Sequence, residues 1–299
     1  MEQSAHAASA VGRLHPYAVR RPQFLFLRSL LRNKQMLWAL AILLPIFLLT
    51  MLAPTLPYSD PLVTNVKESM ETPSWQHPFG TDKLGRDIFS RTLAGVQVSL
   101  VVGVMVAVFS LAGGMVIGTL SGFYGSRVDR LVMGITDIFL SFPSLLLAIG
   151  LVAILGAGVV PVIIAITIAD LPRMIRLQRS MVLSLKSRTF IDAARTVQAS
   201  NRWLMVKHIL PNSLAPMLVA ASITCANAIL TEASLSFLGL GITPPTPSLG
   251  NIIREGQMYL QQAWWISSLP GLVILAIAIS LHLASDGIRQ VLDPKARQS

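Results

Sequence analysis

The sequence predicts an all-α membrane protein with six transmembrane helices and both termini in the cytoplasm. Three observations support this fold class: the composition, a series of charge-poor segments and the uneven placement of basic residues. Of the 299 residues, 53% are hydrophobic and 13% are charged, and the mean hydropathy is strongly positive. This balance is typical of a chain whose solvent is mostly lipid.

Six apolar segments are each long enough to cross about 30 Å of hydrocarbon at about 1.5 Å per helical residue. The first follows a basic tail and exceeds the apolar core of about 7–15 residues found in a signal peptide, so it is predicted to be retained. The segments are 36–53, 95–122, 131–156, 159–178, 213–238 and 265–285. The resulting parts are a cytoplasmic tail (1–35), a first span (36–53), a periplasmic loop (54–92) and a five-helix core (93–299).

Basic residues support this orientation, because lysine and arginine collect in the cytoplasmic loops of membrane proteins. Of the 24 lysines and arginines, 19 fall on the inner side, and the five on the outer side are Lys67, Lys83, Arg86, Arg91 and Arg254. The net charge of +10 is therefore explained without a nucleic acid partner.

The basic tail itself is predicted to form a short helix on the inner leaflet of the lipid bilayer. Phe24, Leu27 and Leu31 share a helical face. The nearby basic residues are Arg28, Arg32 and Lys34. A partner-binding site is the alternative interpretation.

Small residues recur at four-residue spacing in the second predicted span. Ser110, Gly114, Gly118 and Gly122 lie on one stripe of a helix. Because small side chains let helices approach closely in lipid, this span is predicted to pack tightly against another helix.

Catalytic and metal-binding motifs are missing from the sequence. No lysine follows a glycine, so there is no phosphate-binding GxxxxGK[ST] loop, and neither HExxH nor GxSxG occurs. The single cysteine, Cys225, forms neither an internal disulfide nor a thiolate cluster. We expect no catalytic residue, no metal and no cofactor in this chain.

Residues 190–212 are unusual because they place charges in an otherwise apolar chain. Thr189 is predicted to cap a helix, and Asp192 follows near the positive end of the helix dipole. Ser200 favours a turn before a second amphipathic run, which Pro211 is predicted to end. Two short helices of this kind suit either docking onto a partner or lying on lipid head groups.

The sequence FIDAARTVQAS (190–200) followed by HILPN (208–212) resembles the coupling loop, or EAA motif, of ABC importer permeases. Four further segments resemble the C-type permease subunits of dipeptide and oligopeptide importers, and the resemblance covers nearly the whole chain. These segments are HPFGTDKLGRDIFSRTLAGVQVSL (77–100), YGSRVDRLVMGITDIFLSFPSLLLA (124–148), SFLGLGITPPTPSLG (236–250) and DGIRQVLDPKAR (286–297).

The resemblance implies a type I ABC importer permease fold in the bacterial inner membrane. In this family the permease pairs with a homologous B-type permease, and an external binding protein delivers the substrate, here expected to be a dipeptide or oligopeptide. Two cytoplasmic ATPases bind ATP and magnesium and receive the coupling helix, here residues 189–200. The chain itself is expected to catalyse no reaction.

The resemblance also assigns the contact with the ATPase. The family's glutamate is replaced by Asp192 and its glycine by Gln198. Since glycine permits a bend and glutamine favours a continuing helix, the bend is expected to move to Ser200 and Asn201. The assigned residues are Asp192, Ala193, Ala194, Arg195, Gln198, Ala199 and Ser200.

Three carboxylates in or near the predicted spans, Asp137, Asp170 and Glu232, are candidates for lining a pathway, because ionisable groups in lipid are costly and often functional. Caps and hydrogen bonds between helices are the alternative roles. Pro143 and Pro172 are predicted to kink their helices.

The outer loops offer two more sets of candidates. Three prolines predict a stiff, extended segment, suited to docking of the binding protein, to a gate or to a simple connector; they are Pro244, Pro245 and Pro247. Residues of loop 54–92 that resemble a family signature are expected to brace the outer face; they are Asp82, Arg86 and Asp87.

Two other classes of protein remain as alternatives. An ion-coupled secondary transporter of small solutes would use the intramembrane carboxylates, but it would usually show an inverted repeat, which the sequence does not clearly contain. A membrane-embedded hydrolase would need a nucleophile–base pair. Within the ABC family, nickel chelates, glutathione and opines are alternative substrates.

Overall fold

The computed structural model describes residues 30–53 and 60–292. Within these ranges there is no β-strand, and Val66–Glu68 form a short 3₁₀ turn. The predicted interfacial helix around Phe24 and Leu27 lies outside the described residues. The α-helices are α1 (Lys34–Leu52), α2 (Ile88–Tyr124), α3 (Ser126–Leu140), α4 (Ser144–Leu155), α5 (Val159–Lys186), α6 (Thr189–Thr196), α7 (Asn201–Phe237), α8 (Leu249–Gln257) and α9 (Trp265–Leu292).

Four of these helices, α1, α2, α7 and α9, are long and apolar enough to cross a membrane. They correspond to the predicted spans 36–53, 95–122, 213–238 and 265–285, so these four predictions are confirmed. Large apolar side chains are exposed along all of them, as expected where lipid or another helix covers the surface.

The predicted third span, 131–156, is not one helix. It is divided into α3 and α4, which are bent by 91° relative to each other. The break lies at Pro143, which has no N–H to donate and disfavours helical backbone in the residue before it. The bend that was predicted at Pro143 is therefore a complete break, although the two helices together are apolar enough to form one span.

The predicted fourth span, 159–178, lies within α5, a helix of 28 residues that continues through Pro172. Asp170, Arg173 and Arg176 make it more charged than the four apolar helices. When lysines and arginines were counted on each side of the membrane, Arg173 and Arg176 were assigned to an inner loop. The structure places both of them within α5. By length and composition, the described residues thus contain four candidate spans, or five if α3 and α4 form one. The sixth span would have to be α5, so six spans stay a prediction.

Close contact between α2 and α5 forms the centre of the fold, and it depends on the predicted stripe of small residues. A Cβ added at Gly114 would lie 2.6 Å from Cβ of Met174. One added at Gly118 would lie 2.6 Å from the backbone oxygen of Ile175. The prediction of tight packing along this stripe is confirmed.

Two further helices complete the packing around α2. Gly103 of α2 lies against Ile229 of α7, where an added Cβ would come within 2.7 Å of the isoleucine side chain. Peripheral α1 packs mainly on α9, and at one end of this pair the Asn33 side chain donates a 2.8 Å hydrogen bond to Gln290. The core therefore consists of α2, α5 and α7, with α4 and α9 on its flanks.

Candidate functional site

The candidate site is the polar segment 189–200 and the helix that follows it. α6 begins at Thr189, with Arg188 rather than Thr189 at the N-cap position and no side-chain cap. Asp192 lies in the first turn, as predicted, where a negative charge interacts favourably with the helix dipole. The short helix exposes one face and buries the other, as a docking element requires.

The end of α6 contradicts the predicted position of the bend. Gln198 lies in the left-handed region with a φ of 58°, and its N–H donates to the Arg195 carbonyl at 2.9 Å. The N–H of Ala199 reaches back to the Ala194 carbonyl at 3.1 Å. These two bonds form a Schellman motif, whose left-handed position is usually glycine. The chain therefore turns at residue 198, where the family has its glycine, and not at Ser200 and Asn201.

α7 begins immediately after this turn. Ser200 is its N-cap, and the serine Oγ accepts a 3.3 Å hydrogen bond from the Trp203 N–H. Only four residues thus connect α6 to α7, so the segment leads directly into one end of a membrane-length helix.

Pro211 does not end the second amphipathic run, contrary to the sequence-based prediction. Residues Met205–Ile209 form a π-turn, in which Leu210 N–H bonds to the Met205 carbonyl five residues back. This shift in hydrogen-bonding register comes just before the proline, whose missing N–H would otherwise interrupt the helix. The Asn212 side chain donates a further hydrogen bond to the His208 carbonyl at 2.6 Å. α7 consequently runs without a break from Asn201 to Phe237.

The buried side of the segment forms one apolar cluster with three long helices. Ile191 of α6 is fully buried, and Ala194 and Ala199 pack beside it. Lys186, at the end of α5, donates to the Phe123 carbonyl of α2 at 2.6 Å and lies over its ring. The buried members of the cluster are Phe123, Val182, Ile191, Leu204, Met205 and Ile209. α6 therefore packs directly against α2, α5 and α7.

The opposite side of the segment is exposed and of mixed character. Asp192, Ala193 and Arg195 face outward, and the surface ion pair between Asp192 and Arg195 is 3.7 Å long. Such a pair contributes little stability in water, so both side chains are available to a partner. Large exposed apolar side chains surround them: Phe190, Val197, Trp203 and Val206.

His208 lies behind these apolar side chains. Its ring centroid is 4.7 Å from that of Trp203 and 5.9 Å from that of Phe190. The packed rings give this part of the exposed surface a fixed shape, which a docking partner would meet without reordering the side chains.

The three candidate pathway carboxylates occupy different environments. Asp137 on α3 is exposed and pairs with Arg176, whereas Asp170 on α5 is nearly buried and lies 3.5 Å from Arg173. Glu232 on α7 is fully buried. The structure does not bring the three carboxylates together, and pathway lining stays a prediction.

Glu232 takes part in a buried network that joins α2, α7 and the start of α8. Its carboxylate accepts hydrogen bonds from Ser99 at 2.7 Å and from Ser236 at 2.9 Å, and Ser248 contributes a third. These contacts account for the burial of the group through internal bonding, which is the structural role that the sequence left open.

The end of the bundle opposite the 189–200 segment is braced by a compact ion-pair network. Asp82 pairs with Arg86 at 2.6 Å and with buried Arg91, and Glu255 of α8 pairs with Arg86 at 2.7 Å and with Arg91 at 3.0 Å. Asp87 caps α2 by accepting from the Ser90 N–H at 2.6 Å. This arrangement agrees with the predicted bracing role of Asp82, Arg86 and Asp87. The sequence analysis did not single out Arg91 or Glu255 as members of the network.

The proline loop differs from the extended segment that was expected. Pro244 and Pro245 are exposed and lie in a turn, with a cis peptide bond between them. Pro247 is half-buried and precedes Ser248, the N-cap of α8. Among the described residues, no group of three or more His, Cys, Asp or Glu side chains is placed to hold a metal ion.

These features define a class: a multi-pass helical membrane protein with a polar, partly exposed helix pair anchored to the end of its central helices. The particular family follows from comparison with known proteins. The family model described as binding-protein-dependent transport system inner membrane component matches residues 114–298. Together with the relatives described next, this match shows that the chain belongs to that family.

Relatives from several bacteria match nearly the full length of the chain. A provisionally named peptide transport system permease protein of Brucella abortus is 42% identical over 93% of this chain and 94% of its own length. The di/tripeptide transport system permease protein of Pseudomonas aeruginosa is 40% identical, covering 92% of both chains. The glutathione transport system permease protein of Escherichia coli is 38% identical over 97% of this chain and 96% of its own.

A solved structure supports the fold. A chain of the MetNI methionine ABC transporter, in an inward-facing conformation, superposes with a TM-score of 0.53 at 22% identity. The alignment covers 67% of this chain and 95% of that chain. The two chains therefore share a fold, to which this chain adds further residues.

Proposed function

We propose that this chain is the C-type permease subunit of an ATP-driven importer of dipeptides or oligopeptides in the bacterial inner membrane. With a homologous B-type permease it forms the route across the membrane. Two cytoplasmic ATPases bind ATP and magnesium, and an external binding protein delivers the peptide. Full-length similarity to a di/tripeptide permease supports the substrate class, and the anchored segment 189–200 supports the ATP-driven mechanism.

The segment suits a joint between the ATPase and the membrane helices. Asp192 and Arg195 offer charges for register, while Val197 and Trp203 offer apolar contact area. On the other side, Ile191 is fixed in a cluster shared with the central helices. Movement of the ATPase surface would thus tilt α2, α5 and α7 and open the route on alternate sides.

The topology that fits this role has six spans and cytoplasmic termini, with α3 and α4 as the third span and α5 as the fourth. The charges of α5 begin near its middle, at Asp170, and continue toward the segment. Its arginines pair with aspartates of its own helix or of α3, which lowers the cost of placing them in a membrane. Reporter fusions after residues 156 and 188 would give opposite locations for the two fusion points. The same location at both points would contradict this topology.

The first experiment is to purify the tagged chain in mild detergent, identify its partners by mass spectrometry, and reconstitute the complex. We expect a second permease and P-loop ATPases, and uptake of labelled dialanine that requires both ATP and the binding protein. Glutathione should be tested in parallel because a relative bears that name. Uptake by the isolated chain under an ion gradient would instead favour a secondary transporter.

Asp192→Arg tests the joint directly. We expect the variant to insert and assemble but to lose most uptake, because reversing this charge opposes the contact with the ATPase. Asp286→Arg is the matched control, since Asp286 is also exposed and lies outside the segment. Normal uptake by the Asp192→Arg complex would show that the segment is not the contact.

A further inference from the structure

One face of α5 changes character halfway along the helix. In the half nearer α4, this face is packed and apolar: Val162, Ala165 and Ala169 are 0%, 0% and 5% exposed. Because helical residues are about 100° apart, the same face continues through four residues nearer the 189–200 segment. These residues are exposed or half-exposed and polar: Arg173, Arg176, Ser180 and Ser184.

The polar half of this face adjoins a cleft between α5 and α7. The cleft has a volume of about 330 Å³ and is lined by Ser180 and Ser184 together with Asn212 and Pro216 of α7. Toward the other end of α5, buried Ala169 closes the face. We call the polar stretch of α5 from Arg173 to Ser184 the vestibule: it begins one turn after buried Ala169 and ends at this cleft, which Ser180 and Ser184 line and the two arginines do not.

Lipid is a poor neighbour for this vestibule. The side chains of Arg173 and Arg176 are 57% and 53% exposed, and arginine facing acyl chains is costly. The exposed guanidinium groups therefore meet water or a polar ligand. Arg179 differs, because its Nε and one Nη both bind Asp129 and it is only 28% exposed.

The geometry of the two exposed arginines suits a carboxylate. They lie one helical turn apart on the same face, and each contacts one aspartate: Arg173 through Nη1 to Asp170, Arg176 through Nη2 to Asp137. Guanidinium is a planar fork that binds carboxylate oxygens in pairs. Asp137, itself 62% exposed, lies beside them as an acceptor for a positively charged group.

We propose that Arg173 and Arg176 form a binding site for the terminal carboxylate of the transported solute, at the end of the vestibule nearer Ala169. The proposal rests on the proposed function, since it names the group of the peptide that this permease recognises. It makes the permease a second point of substrate selection after the binding protein.

The test uses the complete permease–ATPase complex in nanodiscs, without the binding protein. Ser180→Cys places a thiol in the vestibule, and the native Cys225 gives little background because it is buried. The thiol is labelled with a neutral maleimide, because the local concentration of a charged reagent near the thiol would change when an arginine is replaced. Protection is then titrated with dialanine and with dialanine amide, which lacks the carboxylate.

We expect dialanine to protect the thiol, and dialanine amide to need at least about tenfold higher concentration, because a hydrogen bond to a charged group is lost. Arg173→Gln with Arg176→Gln should raise the half-protecting concentration of dialanine by a similar factor. Arg173→Lys with Arg176→Lys should raise the half-protecting concentration of dialanine by a smaller factor, since the positive charges remain. Arg127→Gln removes another exposed arginine and should leave protection unchanged.

Three outcomes would overturn the proposal: no protection by dialanine, equal protection by the amide, or equal protection in the double glutamine variant. Loss of the second permease from that variant would also overturn it, because the arginines would then serve an interface between subunits. Uptake of dialanine by the wild-type complex is measured separately, so failure of the importer function is distinguished from failure of this site.

Discussion

Gln198 holds a backbone conformation that glutamine rarely adopts, with a φ of 58°. Left-handed backbone costs an L-residue other than glycine about 1–2 kcal/mol. Two backbone hydrogen bonds and the packing of Ala194 and Ala199 against buried Ile191 hold it in place. The intrinsic preference of glutamine predicted a continuing helix, and the surrounding contacts override that preference.

Gln198→Gly should stabilise the turn by about 0.5–1 kcal/mol, because the relief of strain exceeds the entropy lost by glycine. In the purified complex, trypsin should therefore cleave the glycine variant after Arg195 more slowly than the wild type, because the turn opens less often. Gln198→Val is the opposite control and should be cleaved faster, since β-branched residues fit left-handed backbone poorly. Faster cleavage of the glycine variant would contradict the assignment of strain.

Glu232 is a second residue whose environment could not be predicted from the sequence. Its position in an apolar run suggested a functional charge, but the sequence contains no sign that Ser99 from a distant helix would bond to it. Long-range partners of this kind become visible only when the helices are packed.

Replacing Glu232 separates a structural role from an ion-carrying role. Glu232→Gln keeps hydrogen-bonding atoms for the serines and should retain uptake. Glu232→Leu leaves buried hydroxyls unpaired at about 1–3 kcal/mol each and should lower the thermal unfolding midpoint of the complex. Loss of uptake in the glutamine variant, with its stability unchanged, would favour ion coupling instead.

At the element scale, periodic small residues predicted helix packing more reliably than apolarity predicted helix boundaries. The stripe through Gly114 and Gly118 indicated a close neighbour, although not that the neighbour is α5. Hydropathy found α1, α2, α7 and α9, whose spans are uniformly apolar. It could not resolve the complete break at Pro143 or the charged part of α5, because hydropathy measures neither the backbone restriction of proline nor the ion pairs between α5 and α3.

Gly118→Ala should destabilise the complex by about 1–3 kcal/mol, because the added methyl group meets backbone that cannot move aside. The nearest atom, the Ile175 carbonyl oxygen, would be 2.6 Å away. Gly134→Ala in α3 is the matched control, since nothing lies within 4 Å of its added Cβ. Equal thermal unfolding midpoints for the two variants would show that the α2–α5 contact is looser than described.

At the scale of the whole molecule, α7 connects the two ends of the protein. It begins at Asn201, three residues after the turn at Gln198, and continues to the buried network of Glu232 and Ser236 at the other end of the bundle. The π-turn at Met205–Ile209 allows this continuity past Pro211. An importer driven by an ATPase needs such a connection, because the energy source and the outer gate lie on opposite sides of the membrane.

Two leucines on α7 allow this connection to be tested apart from stability. Leu204 is buried in the cluster beneath the segment and Leu235 in the cluster near the outer end, both with 0% exposure. Replacement of either by alanine should cost about 2–5 kcal/mol through cavity formation. We expect only Leu204→Ala to lower the ratio of peptide imported to ATP hydrolysed, because it loosens the anchor that transmits ATPase movement. An equal fall in this ratio for Leu235→Ala would mean that general softening of the bundle, and not the anchor, limits coupling.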